Sequence, residues 1–232
     1  MNRRDFFNAA TFGGYSLLIL ADGASAQSQT PAPPPGVHPD FERIAPANAP
    51  FSRNEPKMHL VNLEADVLVA GGGLAGVCAA IAAARHGARV VLVQDRSRLG
   101  GNSSSEVKMH VVGANQHTGR PGWREGGLIE EFRLADAVNN PQRSFELWDL
   151  LLYDKVMSEP NITLLLETAL YSASVKDGHI TDVMARCDKS ENLYHIRAKI
   201  FCDCTGDSRL GLEAGAEMRS GRESRSEYNE PL

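Results

Sequence analysis

Long apolar runs, clustered cysteines and blocks of like charge are all missing from this chain. The stretch from Ala9 to Ala21 is broken by Gly13, Gly14 and Ser16, and it is too short for a membrane span, which takes about 20 apolar residues. The four cysteines, Cys78, Cys187, Cys202 and Cys204, lack the CxxC spacing of a zinc or redox motif. Cys202 and Cys204 stand two apart in an apolar run, so on a strand they face one side and read as buried thiols. Net charge is −5 and no run of one sign stands out. A nucleic-acid partner is therefore not expected, nor is stable membrane insertion.

What is present divides into three parts: 1–26, 27–60 and 61–232. The first has the charged, apolar and small-residue order of a signal peptide: Arg3-Arg4-Asp5-Phe6-Phe7, then Ala9–Ala21, then Ala24-Ser25-Ala26. The paired arginines before Phe resemble a bacterial twin-arginine signal. That likeness implies export of a folded protein by the twin-arginine machinery to a periplasmic or extracellular place. Gln27 to Pro56 holds eight of the twelve prolines, which reads as an extended linker. The remainder, in a chain of 232 residues that is 42% hydrophobic, is enough for one core of ordinary size.

The clearest signal lies between Asp66 and Asp95. Asp66-Val67-Leu68-Val69-Ala70 reads as a buried parallel strand ending in glycines. Gly71, Gly73 and Gly76 then follow the GxGxxG pattern. The first permits a tight turn, the second lets backbone approach a pyrophosphate, and the third lets a helix pack close to the strand. A helix is expected from Leu74 to His86, with the free amides of its first turn, including Leu74 and Ala75, aimed at the diphosphate. Gly87 stops it, and Arg89–Val93 gives a second strand. Gln94 stands where a ribose-binding carboxylate is usual, and Asp95 follows it; either side chain has the chemistry to meet a ribose hydroxyl.

The stretch Gln94-Asp95-Arg96-Ser97-Arg98-Leu99-Gly100-Gly101-Asn102-Ser103-Ser104-Ser105-Glu106 resembles FAD-dependent oxidoreductases of the glutathione-reductase-like class, in their fumarate-reductase-like branch. In that class a Gly-Gly-Asn/Ser loop crosses the diphosphate and ribityl chain, which implies cofactor contacts from Gly100, Gly101, Asn102 and Ser103, with Arg96 just before the loop. An amphipathic helix from Ser144 to Ser158 comes next, then a strand at Ile162–Leu166. Candidate strands at Leu170–Val175, Ile180–Arg186 and Tyr194–Arg197 form a three-stranded meander, with turns at Lys176-Asp177-Gly178 and Asp188-Lys189-Ser190. A further strand, Lys199–Cys204, ends in Thr205-Gly206-Asp207. The flavoprotein class inserts such a meander and returns to the sheet on a strand ending in Thr-Gly, which implies cofactor contacts from Thr205 and Gly206, with Asp207 after them. Gly221-Arg222-Glu223-Ser224-Arg225 also looks like a segment of the class. The resemblance implies an α/β fold: a Rossmann-like FAD/NAD(P)-binding domain with a central parallel sheet, helices and an inserted meander.

The implied cofactor is FAD and the implied reaction is hydride transfer between flavin and a small-molecule substrate, the flavin doing the redox work. Acid–base candidates near the Gly-Gly-Asn loop are Glu106, Lys108, His110 and His117, with His110 preferred. Leu128–Val138 reads as a core helix, and Trp123 as a packed indole. Other readings are a non-redox FAD-dependent hydratase or isomerase, a non-catalytic nucleotide-binding fragment, and a plain NAD(P) enzyme. Flavoproteins of this class close the site with a later Gly-Asp segment and carry a substrate domain. Neither is found before Leu232, so the expectation is a piece of a longer frame that holds FAD poorly by itself.

Overall fold

A computed structural model describes residues 58–112, 125–219, 221 and 223–229. The signal-like segment, the proline-rich stretch as far as residue 57, His117, Trp123, Arg222 and the last three residues lie outside the described residues. The strands are β1 (His59–Ala70), β2 (Val90–Val93), β3 (Ile162–Leu165), β4 (Ala169–Lys176), β5 (His179–Cys187) and β6 (Asn192–Asp203). The helices are α1 (Leu74–Arg85), α2 (Gly127–Asn139), α3 (Phe145–Met157) and two short ones, α4 (Arg209–Glu213) and α5 (Arg225–Tyr228). All six strands join one sheet in the order β3-β2-β1-β6-β5-β4. The first four in that order run parallel, and β6, β5 and β4 continue antiparallel.

Apolar spacing decides how the helices pack. In α1 the buried residues Gly76, Val77, Ala80, Ile81 and Ala84 recur at helical spacing and lie against Val69, Val90 and Leu92 of the sheet. The expected final residue, His86, is instead the cap of this helix. Helix α3 starts at Ser144, whose hydroxyl accepts a hydrogen bond from the Leu147 amide. It buries Trp148, Leu152 and Val156. Helix α2 anchors through Phe132, which is wholly buried. Arg85 of α1 pairs with Glu131 of α2 at 2.7 Å and with Glu159 just beyond α3 at 2.6 Å. Arg85 and Lys155 together hold the Glu131 carboxyl down at about 2.

The meander differs from expectation in one respect. Its third strand and the returning strand are a single element, β6, which pairs with β1 along nearly its whole length. The ladder passes from Ala65↔Ala198 to Val67↔Ile200 and omits the Asp66/Lys199 pair. At that point the facing changes phase in both strands. Val61 and Ala65 of β1, and Tyr194 and Ile196 of β6, lie in one core; beyond the break that core takes Leu68, Ala70 and Phe201. A strict two-residue alternation would have taken Val67 and Ile200 instead. Read for alternation, each strand splits at the break, which is why β1 reads as starting at Asp66 and β6 as two strands. Asp66 stands at the break: its carboxylate meets the Lys199 ammonium at 2.8 Å and accepts the Arg89 amide at 2.9 Å. These contacts hold it well below the usual carboxylate range.

The turn between β4 and β5 has Asp177 and Gly178 both at positive φ, 51° and 76°. That is the geometry that matches the twist of a two-residue hairpin.

Candidate cofactor site

Because β1, β2 and β6 run parallel, their C-terminal ends open on one edge of the sheet. The chain leaves β1 towards β2 on one side and enters β6 on the other, so the edge beside Ala70 is a topological switch point, where open α/β sheets bind ligands. The three glycine-bearing segments singled out from the sequence meet there. The Gly100 amide donates to the Gly72 carbonyl at 2.8 Å, and Gly73 and Gly100 form a parallel bridge. On the other side the Cys204 amide donates to the Ala70 carbonyl at 2.7 Å.

Close packing explains three of the four glycines in the first loop. A Cβ on Gly71, whose φ is +98°, would lie 2.2 Å from the Cys204 carbonyl oxygen. One on Gly76 would lie 1.8 Å from the Gly71 oxygen, and one on Gly72 would lie 2.6 Å from Leu99. Gly73 is different. Its φ of −63° and ψ of 176° suit any residue, and a Cβ there would meet no chain atom within 4 Å. Gly73 is also the N-cap of α1; no side chain caps this helix and no acidic residue sits in its first turn. The amides that open α1 are thus left for an anion, and the helix dipole favours one.

The Gly-Gly-Asn loop is held from behind by α3. The Trp148 indole donates from Nε1 to the Ser103 hydroxyl at 3.0 Å, and Ser103 donates to the Gly100 carbonyl at 2.9 Å. Asp149 accepts the Ser105 amide at 3.0 Å and pairs with Arg98 at 3.1 Å. At the end of β6, Asp203 organises the Thr-Gly turn. Its carboxylate accepts the Thr205 amide at 3.1 Å, the Thr205 hydroxyl at 2.7 Å and the Gly211 amide at 2.8 Å. Burial pushes this carboxyl up, but those hydrogen bonds outweigh burial and hold it below the ordinary range.

The other expected site residues take varied positions. Gly101 and Asn102 are at the open rim, half-buried and exposed, while the Ser103 hydroxyl is occupied within the chain. Gly206 has φ +85° and open space beside it, whereas the Thr205 hydroxyl is engaged with Asp203 and with the Arg209 amide. Asp95, Arg96 and Asp207 are exposed, and Ala75 also faces outward beside half-buried Leu74. Gln94 turns inward and is only 5% exposed. Among the acid–base candidates, Glu106 lies between Arg96 and Arg98 at 3.6 and 3.8 Å. Lys108 faces Glu146 at 3.5 Å. His110 is exposed, with its ring 5.3 Å from that of Phe145.

The sequence profile of the family described as FAD dependent oxidoreductase matches residues 66–232. The chain belongs to this family. A second profile, pyridine nucleotide-disulphide oxidoreductase, matches residues 11–119. Among curated proteins, aklavinone 12-hydroxylase DnrF of Streptomyces peucetius is 36% identical over 90 residues, covering 39% of this chain and 17% of that protein. Pseudooxynicotine dehydrogenase of a Pseudomonas species is 30% identical over 135 residues, covering 54% of this chain and 23% of that one. The chain therefore spans roughly a fifth of the length of the curated relatives it matches. The crystal structure of Thermovibrio ammonificans THI4 aligns with a TM-score of 0.47 and 19% identity, over 66% of this chain and 64% of that one.

Membership makes FAD the cofactor, and the site fits a dinucleotide: an uncapped helix start, a glycine with open space before it, and two further glycine turns at the same edge. Four residues important to this edge are absent from the candidates drawn from the sequence. Gly72 reads as a filler between two motif glycines, yet a Cβ there would press on the Leu99 and Gln94 side chains. Trp148 was readable only as part of the apolar face of α3. The bond from Asp149 to Ser105 crosses 44 residues and leaves no local signal. Asp203, two residues before Thr205, fits an Asx-type turn and could have been found that way.

Proposed function

We propose that this chain provides the ADP-binding half of an exported oxidoreductase that moves a hydride between FAD and a small-molecule substrate. The observation that carries this reading is Gly73. The fold does not require a glycine there, but a diphosphate approaching the amides of α1 does. The bound flavin supplies the redox chemistry. The chain's own residues bind and orient: amides of Gly73 to Gly76 at the diphosphate, Asp95 at the ribose, and Gly100, Gly101 and Asn102 along the rim, with Gly206 opposite. Ser103 and Thr205 act by fixing the turns that carry them, and Arg96 faces Glu106 beside the rim. The arginine pair at Arg3-Arg4 supports export by the twin-arginine route, which carries folded proteins.

The test is spectroscopic. The full-length protein, purified with its flavin, is mixed anaerobically with candidate substrates. Bleaching of the oxidised flavin band by a substrate supports hydride transfer. Turnover of a substrate with the flavin remaining oxidised throughout would replace this reading by non-redox use of FAD.

A further inference from the structure

Gln94 occupies the position at the end of β2 where a ribose-binding carboxylate was expected, but all of its polar groups are already engaged. Its Oε1 accepts the Gly72 amide at 2.7 Å, and its Nε2 donates to the Arg98 carbonyl at 3.0 Å. Its main-chain amide donates to Leu165 and its carbonyl accepts from Thr168, at 2.8 and 2.9 Å. Gly72 is consequently held through the peptides on both of its sides, by Gln94 at its amide and by Gly100 at its carbonyl. Gly72 immediately precedes Gly73, whose position decides whether the opening amides of α1 face the diphosphate.

We propose that Gln94 is a positioning residue and not a ribose ligand: its buried amide ties the glycine loop to the 95–99 segment and so sets the anion-binding amides. A neutral amide suits this role because one end must accept and the other must donate. A carboxylate would present an acceptor to the Arg98 carbonyl. The charged groups on the adjoining segments are directed elsewhere. Arg98 faces Asp149 and Glu106, Arg96 faces Glu106, and Glu167 of the β3–β4 connection pairs with Lys189. Asp95 is exposed. The proposal rests on the dinucleotide reading of the site.

The experiment measures binding of ADP, 2′-deoxy-ADP and 3′-deoxy-ADP to the full-length apoprotein, wild type and Gln94→Met, by calorimetry. Leaving the Gly72 amide and the Arg98 carbonyl without partners is expected to weaken all three nucleotides by the same factor, about tenfold or more. A loss confined to the nucleotides that keep the hydroxyl Gln94 would contact is non-additive, and it overturns the proposal. Gln94→Glu gives an independent reading if the Met variant is unstable. Protonated, the glutamic acid can donate to Arg98; ionised, it cannot. Affinity relative to wild type should therefore recover towards pH 5 and fall towards pH 8. A variant that binds ADP as tightly as wild type, or more tightly, at pH 8 is the behaviour of a ribose-binding carboxylate and also overturns the proposal. If wild type binds none of the three nucleotides, the dinucleotide reading itself fails and Gln94 has no site to position.

Discussion

Replacing Gly73 with alanine should separate what the fold needs from what the ligand needs. Its backbone sits at φ −63° and ψ 176°, and an added methyl would meet no chain atom within 4 Å. An alanine there restricts the unfolded chain, a gain of about 0.4–1 kcal/mol, but alanine is a poorer N-cap than glycine by a comparable amount. The two terms nearly cancel, so the Tm of the apoprotein should stay within about 4 °C of wild type. The same methyl stands in the path of the diphosphate. Forcing it and the ligand apart should cost about 1–3 kcal/mol, or a five- to 150-fold rise in Kd for FAD. Gly76→Ala is the contrast. Its methyl would lie 1.8 Å from the Gly71 carbonyl oxygen, a backbone atom that cannot move without displacing the loop. That variant should lose about 3 kcal/mol or more of stability. Thermal melts of the apoproteins, with FAD titrations followed by flavin fluorescence, give both quantities. Gly73→Ala with unchanged FAD affinity would refute the reasoning, and so would an apoprotein Tm lowered as far as that of Gly76→Ala, because the space before Gly73 would then belong to the fold.

Trp148→Phe removes the donor to Ser103 and leaves a small void behind the Gly-Gly-Asn loop. Circular dichroism in urea should show a loss of about 1–3 kcal/mol, and stopped-flow should show faster FAD release. For Asp203 the folded-state carboxyl lies below its unfolded value, so its stabilisation is present above about pH 4 and is lost as pH falls through the lower folded value. Asp203→Asn should melt below wild type at pH 7, and the gap should close in acid; a gap that is the same at pH 7 and pH 3 would count against that linkage. Arg3→Lys with Arg4→Lys should leave the protein in the bacterial cytoplasm, checked by fractionation; undiminished export of the double variant would exclude the twin-arginine route.

How much of this was legible depended on the range of the interaction. The strand–loop–helix–strand unit was readable because each of its devices is local: an apolar run, motif glycines, an alanine-rich helix and a stop at Gly87. The hairpin at Asp177-Gly178 and the cap at Ser144 were readable for the same reason. The length of β1 and β6 was not, because alternation is the signal for a strand and both strands change phase at Asp66 and Lys199. The chemistry of Gln94 was readable in type but not in direction. An amide after a buried strand can meet a ribose or turn inward, and the partner that decides, the Gly72 amide, lies 22 residues away.

The change of phase also bears on the site. Before the break, β6 must present Tyr194 and Ile196 to the core it shares with β5, while His195 on the opposite face bonds Asn62 of β1 at 2.9 Å. After it, the strand must place Cys202 and Cys204 beneath α1 and leave Asp203 on the other face, free to gather Thr205 and Gly211. An unbroken alternation from Ile196 would reverse that last segment and turn Asp203 into the packed side under α1, where its carboxylate would lose those partners. Because β1 shifts at the same position, the parallel pairing survives and Ala70 still meets Asp203 in register. The Asp66–Lys199 pair is therefore part of how the site is built, although it stands back along the strand from Gly71: it marks where one strand stops closing the meander with one facing and begins to deliver the Thr-Gly turn with the other.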